Sequence, residues 1–177
     1  MNAAKSPYRN IWTGKFDYQK AIDDILISEG INNPNSKWLV ANKKNIEATN
    51  NLLPNDISLN KGAINIDGFE YKTGLNIGYG DSRGKKYNIA LITKKAIKNK
   101  AEFVLTDIIR HENIHQLQTL NNSTMSIQQR EMAAYVTNML NPATSTTASK
   151  AMQMLIQQYG FNNHDIRNFI INHGPFY

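Results

Sequence analysis

The chain of 177 residues contains no cysteine. That absence removes disulfides and thiolate metal sites, and says little more about compartment. No stretch is long and apolar enough to span a bilayer. The opening, Met1-Asn-Ala-Ala-Lys-Ser-Pro7, holds no apolar signal segment. Cytoplasmic synthesis is the expectation, with any export by a route that needs no such signal. Acidic residues are outnumbered, 14 against 20 Lys plus Arg, for a formal charge of +6. Much of the excess gathers at Arg83, Lys85, Lys86, Lys94, Lys95, Lys98 and Lys100. Such a cluster attracts polyanions, but neither a Cys/His finger nor a paired-aromatic sheet motif accompanies it. No specific nucleic-acid partner is therefore expected, and a solvated face is the plainer reading. Gly78, Gly80 and Gly84 lack the Gly-Lys-Ser/Thr ending of a phosphate loop. There is no internal repeat.

What is present suits one domain over 1–177 with a respectable core. Apolar content is 41%, and long periodic segments argue against disorder. Residues 1–16 look irregular. Asp17 is placed to cap a helix running to about Ser28, with Gly30 at its exit. A second helix is expected over Lys37 to about Thr49, carrying Trp38, Leu39 and Ile46. The periodicity then changes: Ala63–Ile66, Phe69–Tyr71 and Leu75–Ile77 alternate between Gly and Asp, and Tyr87–Thr93 is the best strand. Beyond Pro142, Met152, Leu155 and Tyr159 mark a helix with Gly160 at its exit, and Asn163 is placed to cap a last one. The expected class is α+β, mainly helical with a small, largely antiparallel sheet. Its parts are a helical 1–60, a sheet over 61–93, a helix pair over 99–140 and C-terminal helices over 148–177.

The most informative stretch is Arg110–Gln118, which reads R-H-E-N-I-H-Q-L-Q. His111 and His115 stand one helical turn apart on one side and can grip a single metal ion, while Glu112 can reach a water at that metal. Nitrogen and oxygen ligands suit zinc. Asn99 to Glu102 has the form of a capping box, and no Gly or Pro follows until the chain stops at Asn121-Asn122-Ser123. Ala101, Val104, Ile108, His111 and His115 then form one stripe at helical spacing. Polar rings on an apolar stripe need partners. The competing reading is a pair of core histidines bonded to backbone.

A third ligand has to come from another element, leaving a fourth position open to water. Ser126 to Gln129 reads as a capping box that opens a helix to about Leu140, before Asn141-Pro142. Glu131 falls on its core-facing side with Ile127 and Ala134. The short link over 121–125 makes the two helices antiparallel neighbours, so Glu131 can return alongside His115. An exposed glutamate paired with Arg130 or a lysine is the alternative. Tyr135, one turn beyond Glu131, is the nearest candidate to donate to an oxyanion; Tyr159, His164 and His173 are others.

This pattern resembles the gluzincin class of zinc metallopeptidases, in which His-Glu-x-x-His is followed on a second helix by a glutamate ligand. The local form H-E-x-x-H-x-x-Q followed by E-x-x-A-Y is similar to small bacterial and phage-associated domains carried by effectors and toxins. The resemblance covers about Tyr87 to Leu140. It implies a zincin-like fold with the sheet flanking the metal helix and one Zn2+ per chain on His111, His115 and Glu131. It also implies Glu112 as general base and a protein or peptide substrate. A strand before the metal helix, here Tyr87–Thr93, would hold extended substrate by backbone pairing. Association with a virion or an effector is compatible with that class. A thermolysin-like pattern would place an aspartate where Tyr135 stands, so support for a histidine is unidentified. The glycine-histidine extension of metzincins is missing. The alternative function is a catalytically silent, zinc-containing structural or interaction domain.

Overall fold

The computed structural model describes residues 7–10, 13–53, 56–98, 102–121, 124–140 and 148–173. Among them the elements run α1 (Tyr18–Ser28), β1 (Ser36–Ala41), α2 (Lys43–Asn50), β2 (Ile57–Asn60), β3 (Ala63–Ile66), β4 (Phe69–Tyr71), β5 (Gly74–Gly80), β6 (Lys86–Thr93), α3 (Lys94–Lys98), α4 (Glu102–Leu120), α5 (Ile127–Leu140), α6 (Ala148–Tyr159) and α7 (Asn163–His173). Helices dominate and the strands form two small sheets, β1-β6-β5 and β2-β3-β4, which is the expected α+β class. None of the described helices is long and apolar enough to cross a membrane. Two compact units divide the chain, Met1–Leu75 with Ile89–Lys100 and Asn76–Asn88 with Ala101–Tyr177.

In the first unit Asp17 caps α1 as expected, its Oδ1 accepting from the Lys20 amide at 3.0 Å. Ala21, Ile22 and Ile25 are its buried stripe. The expected helix over 37–49 is corrected at its start. Ser36–Ala41 is a strand, because Trp38, Leu39 and Val40 favour a pleated, buried surface. Helix α2 begins only after Asn42, whose Oδ1 accepts from the Asn45 amide at 2.9 Å. The Gln19 amide on α1 covers the backbone of β1, donating to the Trp38 carbonyl and accepting from the Val40 amide. A side chain thus blunts a strand edge. Strands β2, β3 and β4 form an antiparallel meander. Its two-residue turns, Lys61-Gly62 and Asp67-Gly68, have positive φ at both positions, the primed geometry that suits strand twist.

Strand β6 is the middle strand of its sheet, and Ile89 to Ile92 are buried without a break. This overturns the substrate-pairing role expected for Tyr87–Thr93, because a middle strand has both backbone edges occupied. Strands β1 and β5 are the outer ones.

The second unit is built on α4 and α5. They run antiparallel: Asn138 Nδ2 donates to the Asp107 carbonyl at one end, and Gln118 Nε2 donates to the Arg130 carbonyl at the other. The expected box opens α5, with Ser126 N donating to Gln129 Oε1 and Gln129 N to Ser126 Oγ. The Asn99 box lies outside the described residues. Met132, Ala133 and Val136 of α5 pack with Leu155 of α6 and with Ile166 and Phe169 of α7. The cap of α7 is Asn162 rather than Asn163, bonded reciprocally with Asp165. On the strand side Asn76 Nδ2 donates to the Glu112 carbonyl and Asn88 Nδ2 to the Gln116 carbonyl. A Cβ on Gly78 would overlap the Thr119 methyl, so the glycine lets β5 approach α4.

Candidate metal centre

The fully buried face of α4 differs from the expected one. Leu105, Ile109, Glu112 and Gln116, spaced four, three and four, are all nearly inaccessible. Ala101 and the Val104 side chain lie outside the described residues. His111 and His115 stand beside that face, half-buried and turned to α5. Ile127 is exposed rather than core-facing, while Ala134 is buried as expected. The start of α5 therefore leaves the core, and its packing begins at Glu131.

His111, His115 and Glu131 come together. The two Nε2 atoms are 3.1 Å apart. His111 Nε2 lies 3.3 Å from Glu131 Oε2, and His115 Nε2 lies 3.2 Å from Oε1. One ligand atom from each residue falls within 4.8 Å of the others. Among the described residues no further histidine, aspartate or glutamate joins this group. The donor set, two imidazole nitrogens and a carboxylate, is one that can hold a metal ion.

Charge sets the protonation of the group. Burial works to lower the His115 pKa, but the hydrogen bond and charge of Glu131, then the charge of Glu112, override it and push the ring up to about 9. Burial would raise the Glu131 carboxyl; its hydrogen bonds to His111 and His115 and their charges hold it well below the usual carboxylate range. Glu112 is raised by burial, against the two histidines and with help from Glu131. Its carboxyl therefore sits within electrostatic reach of His111, His115 and Glu131.

Surrounding groups hold these three side chains. His115 Nδ1 meets Gln118 Oε1 at 3.1 Å. Tyr159 donates its hydroxyl to Glu131 Oε2 at 3.0 Å. Tyr135 lies edge-on against His111, with ring centroids 4.6 Å apart. Burial, with the charges of Glu131 and Glu112 adding to it, pushes the Tyr135 phenol up to about 12, so it remains a neutral donor. Of the other candidate donors, Tyr159 joins the site. His164 does not: it is exposed on α7 and bonds Asn168. The His173 side chain lies outside the described residues. The residue that sequence reasoning missed is Gln118, the support for His115. Its signal was present, three residues beyond His115 and therefore on the same helical face.

Comparison with protein-family models, curated proteins and solved structures finds no match to this chain.

Proposed function

We propose that the chain is a zinc-dependent peptide-bond hydrolase, an endopeptidase whose metal ligands are His111, His115 and Glu131 and whose general base is Glu112. The observation that carries this reading is the convergence of two imidazole Nε2 atoms and one carboxylate on a single point. Without a metal, a proton on His115 held there by Glu131 lies where these atoms meet. A shared cation uses all three sets of lone pairs at once. A zinc ion held there supplies Lewis-acid polarisation of a carbonyl and acidification of water.

The chain's own groups do the rest. Glu112 takes the proton of the attacking water and passes it to the leaving amine. Its raised pKa suits a base that must also return a proton. Tyr135, neutral and against His111, is the nearest group to donate to the developing oxyanion. Extended substrate pairs with the outer strand β5, which reaches α4 through Asn76 and Gly78. The second reading is a silent, zinc-containing structural domain. A purely structural site has no use for a buried carboxylate beside its ligands, so Glu112 favours the enzyme.

The test is cleavage mapping of a diverse peptide library by mass spectrometry, comparing zinc-loaded wild type with Glu112→Gln at matched zinc content. Zinc-dependent cuts made by wild type alone are expected, with fold and metal retained in the variant. Equal cutting by both chains would remove Glu112 as base. Failure of wild type to take up zinc would remove the centre itself.

A further inference from the structure

The geometry points to Gln118 as a positioning residue that fixes the tautomer of His115 by relaying a backbone carbonyl of the neighbouring helix. The inference rests on the metal-centre reading. Its starting point is the Arg130 carbonyl on α5, which can only accept. Gln118 Nε2 donates to it at 3.2 Å, and this fixes which end of the amide faces which partner. The other end, Oε1, faces His115 Nδ1 at 3.1 Å and carries no proton, so Nδ1 must donate. With the proton held on Nδ1, the remaining nitrogen, Nε2, presents its lone pair to Glu131 and His111, where the ligand atoms converge. Each link leaves one choice for the next.

Two features suit Gln118 to this task. It is buried, with 7% of its surface exposed, so water does not compete for either end of the amide. It also joins the helices at the site, since Arg130 adjoins Glu131 in sequence. One side chain therefore touches the helix that carries Glu131 and the ring of His115 at once. An outer hydrogen bond to a ligating histidine typically accounts for about 10–100-fold in metal affinity.

The test compares wild type, Gln118→Met and Gln118→Glu. Zinc affinity is read by competition with a chelator, and the protonated ring nitrogen of His115 by nitrogen–proton correlation NMR of zinc-loaded chains. Met keeps the shape without an acceptor; Glu keeps an acceptor for Nδ1 but loses the donor to Arg130. The expected result is a proton on Nδ1 in wild type, weakening of about 10–100-fold in Gln118→Met, and near wild-type binding with the same ring signal in Gln118→Glu. Unchanged binding in Gln118→Met would overturn the proposal. So would equal losses in both variants, which would make Gln118 a helix clamp only, or a wild-type proton on Nε2. If Gln118→Met fails to fold, the wild-type ring signal and the Gln118→Glu affinity still decide. A wild type that binds no zinc overturns the metal centre together with this inference, whereas loss of the Gln118 effect alone leaves the centre standing.

Discussion

Raising the pH of the metal-free chain from 6.5 to 9 should lower its stability, and zinc should reverse the trend. His115 has its folded pKa raised from 6.5 to about 9 by Glu131. Between those values the folded chain holds a proton that the unfolded chain has released. Its contribution is thus complete below 6.5 and disappears as pH climbs through 9. Each pH unit of difference is worth about 1.4 kcal/mol, so the whole interval is worth about 3 kcal/mol. For a chain of this size that is roughly 6–12 °C in Tm. Glu131 acts at the other end: its folded pKa is depressed, so its contribution is present above 4.5 and fades only as pH falls through the lower folded value. Glu112, raised by burial, also loses stability with rising pH, starting from 4.5. Running the measurement in Glu112→Gln removes that overlap.

Zinc competes with the proton for the imidazole, so its binding strengthens as pH rises toward 9. The gap in Tm between zinc-loaded and chelator-treated chains should widen with pH. The assay is thermal unfolding in both conditions at intervals from pH 6 to 9. A metal-free Tm that stays flat, or a falling slope that survives in His115→Ala, would refute the claim that the His115–Glu131 pair forms without metal.

Two further outcomes test the surroundings of the centre. Gly78→Ala puts a methyl into the Thr119 side chain and should cost about 1–3 kcal/mol in urea unfolding. Adding Thr119→Ser removes the opposing methyl and should restore most of it, and strict additivity of the two changes would refute the steric account. Tyr159→Phe removes the hydroxyl that holds Glu131 Oε2 while leaving the ring against Tyr135. Zinc binding should weaken by about tenfold with the cleavage sites unaltered, and undiminished affinity would show that the hydroxyl does not support the ligand.

Much of the fold was legible because local chemistry and global packing agree there. Asp17, Ser126 and Gln129 cap the helices that their spacing indicates. Gly30 and Gly160 take the positive φ that ends a helix. The strand Ser36–Ala41 was not legible, because its apolar positions run consecutively and fit a buried helix as well as a buried strand. Only the tertiary partner decides, and here it is β6, which pairs with β1 in the sheet, while the Gln19 amide covers β1 from α1. The position of Tyr87–Thr93 within its sheet was hidden for a related reason. An unbroken apolar run says that both faces are covered, and it says nothing about which backbone edges are free.

Helix α4 shows why motif and pattern gave different qualities of information. His111 and His115 follow from chemistry at fixed spacing, which survives folding, and Glu131 from the short link that makes α4 and α5 antiparallel neighbours. The buried stripe does not survive folding, because α4 is covered on two sides, by Asn76, Gly78 and Asn88 on one and by α5 on the other. A helix packed twice has no single apolar face to read. Four of its buried positions, Asp107, Glu112, Gln116 and Gln118, are polar, which erases the periodic signal further. Burying such groups is unfavourable unless each is bonded, and a helix chosen for stability alone would carry leucine there. Their presence is therefore informative in itself. Gln118 bonds His115 and the helix that carries Glu131, and Glu112 lies within electrostatic reach of His111, His115 and Glu131. Two of the polar positions that blurred the stripe are thus the ones that the proposed chemistry uses, so the pattern breaks at the site where function would require it to break.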